Sequence, residues 1–306
     1  MIYVIEYIIL CNKEALMKIY APRYYKDFIC IADKCKHSCC VGWEIDIDEK
    51  TICRYDNLSN DYATIINNSI VTDESTHFVL DFEKHCPHLN KNGVCDIILN
   101  CGDDYLCDIC REHPRFYNFT NRGKEVGVGM SCEAACKLIL DSDEFDLIDE
   151  IGTDDSEVEE YTFDAVEIRD QIFKVLKDNS LFADKKTEAI NNQFIPSQRF
   201  EFFDIISDFE YLDDAHRDLF SQAKDLIWNN EYSDKLCRIL AYYIYRHCSE
   251  AYDFEEFSAS LSFAIFCTGL VSTLSVNNDI YDIARIVSEE IEYSEDNTYK
   301  IKSMFY

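Results

Sequence analysis

Only four prolines, eight glycines and two tryptophans occur in this 306-residue chain. Beyond residue 140 the turn formers thin out to Gly152, Pro196 and Gly269. That is too few breaks for anything but long helices. Basic residues are equally short: 29 Lys and Arg face 59 Asp and Glu, a net charge of −30. Such a surface disfavours nucleic acid and anionic lipid, and it would steer a basic partner inward. No Gly-x-Gly-x-x-Gly follows a strand, and Gly127-Val128-Gly129 is too short to substitute, which speaks against an ordinary Rossmann-type donor site. The apolar run at residues 2–10 has no basic residue before it, is broken by Glu6, and has no small-x-small cleavage site after it. It is a poor signal peptide and too short to span a bilayer, so the sequence reads as cytoplasmic. Residues 1–16 read as an extension that need not be native, because Met17 opens a second candidate start.

What is present is cysteine. Sixteen thiols in a cytosolic chain read as metal ligands or catalytic groups rather than as a disulfide framework. Thirteen of them fall in the first 136 residues. Cys30, Cys35, Cys39, Cys40, Cys86, Cys95, Cys110 and Cys132 are the candidate ligands, with Cys107 three residues before Cys110 in the same turn. Thiolate ligands must converge to about 2.3 Å from a metal, and short Cys-x-x-Cys, Cys-x3-Cys and Cys-x4-Cys loops bring neighbouring sulfurs close. Side chains of adjacent residues diverge, so Cys39-Cys40 suits two neighbouring centres, or one ligand and a spare. The eight suffice for two four-thiolate sites or for one site with reserves. Classical zinc-finger, two-cluster ferredoxin and radical-enzyme spacings are absent. Cys237, Cys248 and Cys267 lie on apolar helical faces and read as core; Cys11, Cys53, Cys101 and Cys136 stay unassigned.

Charge and periodicity divide the chain. Residues 1–140 carry 15 basic against 21 acidic residues, a net of −6; residues 141–306 carry 14 against 38, a net of −24. Residues 141–160 hold eleven acids and no Lys or Arg, which predicts an exposed acidic linker. Beyond it, Val166, Phe173 and Leu176, then Phe203, Ile206 and Phe209, then Leu236 to His247, then Phe257 to Val276 repeat at helical steps. Five or six antiparallel helices are expected. The half at 17–140 reads as loop-rich, with Trp43–Asp48 and Phe78–Phe82 alternating like short strands. The expected fold class is α+β: a small loop-rich cysteine or metal domain at 17–140, then an acidic helical domain at 161–306.

Several ordered blocks carry a resemblance. These are Phe28-Ile29-Cys30 through Cys35; Cys39-Cys40-Val41-Gly42-Trp43-Glu44-Ile45 with Asp48; His85-Cys86-Pro87-His88-Leu89; and Gly93-Val94-Cys95-Asp96-Ile97. Leu106-Cys107-Asp108-Ile109-Cys110-Arg111-Glu112-His113-Pro114-Arg115, Ser131-Cys132-Glu133-Ala134-Ala135 and Tyr243-Ile244-Tyr245-Arg246 complete the series. Together they resemble the flagellin lysine-N-methylase family, over roughly residues 17–290. The cysteine half is also similar to small proteins described as zinc- or iron-chelating. The family's proline after the last cysteine is missing here, and His113 stands where an aromatic is usual. The resemblance implies methyl transfer from S-adenosylmethionine to flagellin lysines in the cytoplasm, with a cysteine-ligated 4Fe-4S iron–sulfur cluster.

Other residues have two readings. Arg111 and Arg115 could grip the donor's carboxylate bidentately, or pair with local acids and back the sulfurs. His85 and His88 could ligate zinc, or serve around the site. Trp43 is expected to cover the thiolate centre. Twenty tyrosines are too many to single out a base. Two function classes follow: a lysine methyltransferase, or a zinc- or iron-chelating module whose helical half is an interaction domain. Thiolate ligation suits both metals, so zinc remains the alternative to iron–sulfur. No nucleic acid or membrane partner is expected, and the sequence is silent on oligomeric state.

Overall fold

A computed structural model describes residues 16–155, 161–195 and 202–305. Residues 1–15 with Cys11, the end of the acidic stretch at 156–160, and Pro196 lie outside the described residues, as does the side chain of Phe203. The fold is α+β.

Six strands are described: β1 (Met17–Pro22), β2 (Ile70–Thr72), β3 (Thr76–Phe78), β4 (Arg115–Thr120), β5 (Gly123–Val128) and β6 (Ile148–Asp154). Four of them form one sheet in the order β4-β5-β1-β6. β1 runs parallel to β5, pairing Ile19 with Lys124, and antiparallel to β6, pairing Met17 with Asp154. β4 and β5 make a hairpin closed between Thr120 and Gly123. β2 and β3 form a separate two-stranded ribbon.

The sheet corrects the expectation of an acidic linker at 141–160. Residues 148–154 are an edge strand, because their acids are neutralised by neighbours rather than left to repel. Glu150 meets Lys18 at 2.8 Å, Asp149 meets Arg23 at 2.9 Å, and Asp154 meets Lys124 at 3.0 Å. Trp43–Asp48 and Phe78–Phe82 were expected as strands and are mostly irregular. Only β3 and the isolated Asp46–His77 bridge are regular there.

Helices of the cysteine half are short: α1 (Glu49–Asp56), α2 (Ala63–Asn68), α3 (Asp96–Cys101), α4 (Asp108–Glu112) and α5 (Glu133–Asp141). The second half holds α6 (Ala165–Leu176), α7 (Ala183–Phe194), α8 (Phe202–Ser207), α9 (Asp214–Phe220), α10 (Ser233–His247), α11 (Phe254–Leu274), α12 (Ile280–Val287) and α13 (Glu295–Ser303). That exceeds the five or six expected, since α8, α9 and α13 are too short or too polar to show a long apolar period. α11 is capped by Asp253, which accepts from the Glu256 N–H. It is apolar on every face and packs against α10, α12 and α13. By length and composition α11 could cross a membrane, but 94% of its apolar window is buried inside the fold, as in a core helix.

Two hydrophobic cores result, and their boundary is not at 141–160. A small one gathers Ile45, Ile47, Tyr55, Ile66, Phe78, Cys86, Ile97 and Cys107. The large one joins the helices to Tyr24, Val128, Met130 and Ala135 from the cysteine half. Buried polar contacts seal the sheet to the helices. Arg169 on α6 meets Glu125 on β5 at 2.5 Å with both side chains fully buried, and Asn118 donates to the Tyr245 and Arg246 carbonyls at 3.0 Å.

Candidate metal centre

Three candidate ligands stand at helix starts. Cys95, Cys107 and Cys132 are the N-cap residues of α3, α4 and α5. There the free N–H groups of a first turn favour a thiolate. The N–H groups of Ile97 and Ile98 hydrogen-bond the Cys95 sulfur, and those of Ala134 and Ala135 the Cys132 sulfur.

The thiols fall into two neighbourhoods that are linked through the hydrogen bond between Cys39 and Cys40. Cys30, Cys35, Cys39 and Cys132 form the first. Burial, then the Glu133 and Cys132 charges, push the Cys35 thiol up to about 11. Burial and then the Cys30 charge raise Cys132, and Cys39 is raised by its hydrogen bond with Cys40 and by the Cys40, Cys30 and Cys132 charges. Cys40, Cys86, Cys95, Cys107 and Cys110 form the second. Burial, then the Cys40, Cys95 and Cys107 charges, push Cys86 up to about 12. Cys110 is raised by its hydrogen bond with Cys107, whose sulfur lies 3.3 Å away. Cys40 is held down at about 7 by the hydrogen bond from Cys39. Among the described residues no three of these sulfurs lie within 4.8 Å of one another, so the thiols would have to draw together around a bound cation, whose charge would offset their mutual repulsion. An all-sulfur donor set fits zinc or an iron–sulfur cluster.

The sets differ in access. Cys30 and Cys39 are exposed, and Cys35 and Cys132 are half-buried. In the second set Cys86 and Cys107 are buried, and Cys40, Cys95 and Cys110 pack against the small core. The first set lies where the cysteine loops meet the helical body. The Lys36 N–H donates to Glu133 at 2.8 Å, and the Cys35 thiol donates to the His37 carbonyl at 3.2 Å. Trp43 donates its Nε1–H to the Cys39 carbonyl at 2.8 Å, close to the place expected for it.

The remaining candidates have local partners. His88 is fully buried with both ring nitrogens occupied, by the Tyr62 and Ser69 hydroxyls at 2.9 Å, which leaves no nitrogen for a metal. His85 faces Asp81 and Glu83. Arg111 is taken up by Asp108 at 2.9 Å and the Leu106 carbonyl at 2.6 Å, so it braces the Cys107–Cys110 turn. Arg115 hydrogen-bonds the Tyr25 hydroxyl at 3.2 Å and lies over the Phe28 ring, two residues from Cys30. Cys136, Cys237, Cys248 and Cys267 are buried in the large core, and Cys53 is exposed.

Cys107, in Cys-x-x-Cys spacing with Cys110, has its sulfur 3.3 Å from that of Cys110 and so joins the candidate ligands. A polar network on α10 was missed. Glu292 is buried and accepts from Tyr242 at 2.8 Å and His247 at 2.8 Å, while Arg246 pairs with it at 3.2 Å. Its carboxyl stays below the usual range although burial opposes this, because the Arg246 charge and the hydrogen bonds prevail. A π turn at Ser288–Glu292 presents this carboxylate inward.

No family model matches the chain, and no solved structure matches it. Curated proteins to which it is similar include the flagellar biosynthetic protein FliU of Salmonella muenchen, 24% identical over 132 residues, 40% of this chain and 77% of that protein. The lysine-N-methylases of Salmonella choleraesuis and Salmonella typhimurium are 24% and 23% identical over 131 and 133 residues. Each match covers 40% of this chain and 32% of the relative, so the chain spans about a third of the lysine-N-methylases it matches. The resemblance read from the cysteine blocks is borne out by these relatives over 131 to 133 residues, a shorter span than the residues 17–290 over which it was read.

Proposed function

We propose that the chain transfers methyl groups from S-adenosylmethionine to lysine side chains of flagellin in the cytoplasm. An iron–sulfur cluster would be held by Cys30, Cys35, Cys39 and Cys132. The observation that carries the reading is the open position of this thiol set at the junction with the helical body, as befits a working centre. The names of the relatives, one flagellar and two lysine-N-methylases, support lysine and flagellin. Cys40, Cys86, Cys95 and Cys110, with Cys107 beside them, would hold a second, enclosed centre that orders the small core, where zinc suits equally well.

When bound, the cluster would supply a redox-active iron face able to coordinate a donor. The chain's own residues have three tasks. Trp43, bound to the Cys39 carbonyl, would limit water on that side of the set. Arg115, over the Phe28 ring, would meet the donor's carboxylate. Lysine reacts as a neutral amine, so the junction must also take up its proton and align it with the methyl group. The net of −24 over residues 141–306 would draw in the lysine-bearing surface.

The test is purification without oxygen, followed by iron, sulfide and zinc analysis and incubation with flagellin and methyl-labelled S-adenosylmethionine. About four iron and four sulfide per cluster, with label recovered as methyl-lysine, is the expected result. Zinc alone with no labelled lysine would turn the reading to a chelating module.

A further inference from the structure

Three aromatic rings from distant segments meet in a row whose Trp43 end is bound to the Cys39 carbonyl. Trp43 follows the Cys39-Cys40 pair, His113 sits between α4 and β4, and Tyr293 follows the π turn. The Trp43 and His113 ring centroids are 6.0 Å apart at 34°, and those of His113 and Tyr293 are 6.4 Å apart at 51°. Their positions are fixed from below. Trp43 is tied to the Cys39 carbonyl, and Tyr293 occupies the space that a side chain at Gly129 would fill, its hydroxyl 2.0 Å from where a Cβ would stand. Arg246 lies 4.9 Å from the Tyr293 ring centre, and Glu292 compensates its charge. Burial, and secondarily the Arg246 charge, lower His113 to about 4, so its imidazole is neutral at pH 7. Tyr293 remains 43% exposed, which leaves the row open to solvent.

A row of neutral aromatic faces with one open side attracts ammonium groups through the ring quadrupoles, tryptophan most strongly, and methylated ammonium is a recurrent ligand of such walls. We propose that Trp43, His113 and Tyr293 line a recess that holds the lysine side chain, and its methylated products, beside Cys39. This rests on the lysine reading above and adds the residues that recognise the substrate. The strong negative charge of the helical half favours the same occupant.

The protein has two tryptophans, Trp43 and Trp228, so Trp228→Phe leaves Trp43 as sole reporter. That variant, carrying its native metal, is titrated with Nα-acetyl-lysine amide, its Nε-trimethyl form and uncharged Nα-acetyl-norleucine amide. The expected result is saturable quenching of Trp43 by both lysine ligands, several-fold tighter for the trimethyl form, and none by norleucine. Tyr293→Leu should weaken binding at least fivefold with the far-ultraviolet spectrum unchanged; His113→Leu is the second variant if that one fails to fold. Absence of saturable quenching, equal response to norleucine amide, or unchanged affinity in Tyr293→Leu would overturn the recess. Quenching without methyl transfer would retain the recess and remove the enzyme reading. Methyl transfer with an unchanged lysine KM in Tyr293→Leu would do the reverse.

Discussion

Gly123 shows how little freedom single positions have. Its φ is +142°, and a Cβ there would stand 2.4 Å from the Lys18 carbonyl oxygen on the paired parallel strand. Backbone on both sides cannot give way, so Gly123→Ala is expected to cost about 3 kcal/mol, read as a lower midpoint in urea unfolding. His247 sets a pH dependence. Burial, against the pull of Glu292, lowers it to about 4 from the ordinary 6.5. The unfolded chain therefore binds a proton that the native state refuses between about pH 6.5 and 4, and stability falls as pH drops through that window. His247→Gln, which keeps a donor for Glu292, should flatten the acid side of the stability–pH curve. An unchanged curve would show that the loss comes from elsewhere.

At the scale of elements, the informative unit is the loop that carries Cys39 and Cys40. Cys39 and Cys40 are hydrogen-bonded to each other, so this loop ties the neighbourhood of Cys30, Cys35 and Cys132 to that of Cys86, Cys95, Cys107 and Cys110. Cys40→Ser should lower metal content and loosen residues 45–110 in hydrogen exchange, because the second set is embedded in the small core. Cys39→Ser should lower metal content but leave that exchange intact. Equal effects of both would mean one shared centre. Sequence periodicity read α6, α10 and α11 well, since each repeats apolar residues every three or four positions and is ordered by local bonds. β1, β5 and β6 were not legible: their pairing joins residue 19 to 124 and residue 17 to 154, and no local pattern encodes a partner so far along the chain. The acids of β6 obscured it further, because the cations that neutralise them are equally remote.

For the whole molecule, two cores of unequal size imply two responses to loss of metal. The small core buries eight side chains, two of them the candidate ligands Cys86 and Cys107; without a centre it has little else to order its loops. The large core spans the helices and the sheet and contains no residue of the second set. Chelation is thus expected to make residues 45–110 sensitive to protease while α6–α13 stay resistant, as mapped by mass spectrometry of the fragments. Cleavage spread evenly over the chain would contradict two separate cores.

The sequence by itself determined the α+β class, the helical second half, and the burial of Cys237, Cys248 and Cys267. These follow from composition and local period, which need no knowledge of distant contacts. Tertiary structure alone filled both nitrogens of His88, turned an acidic stretch into a strand, and brought Trp43, His113 and Tyr293 side by side. Each of these depends on residues tens to hundreds of positions apart being packed together, and the physical reason is the same: burial and charge compensation act through space, where sequence distance has no meaning.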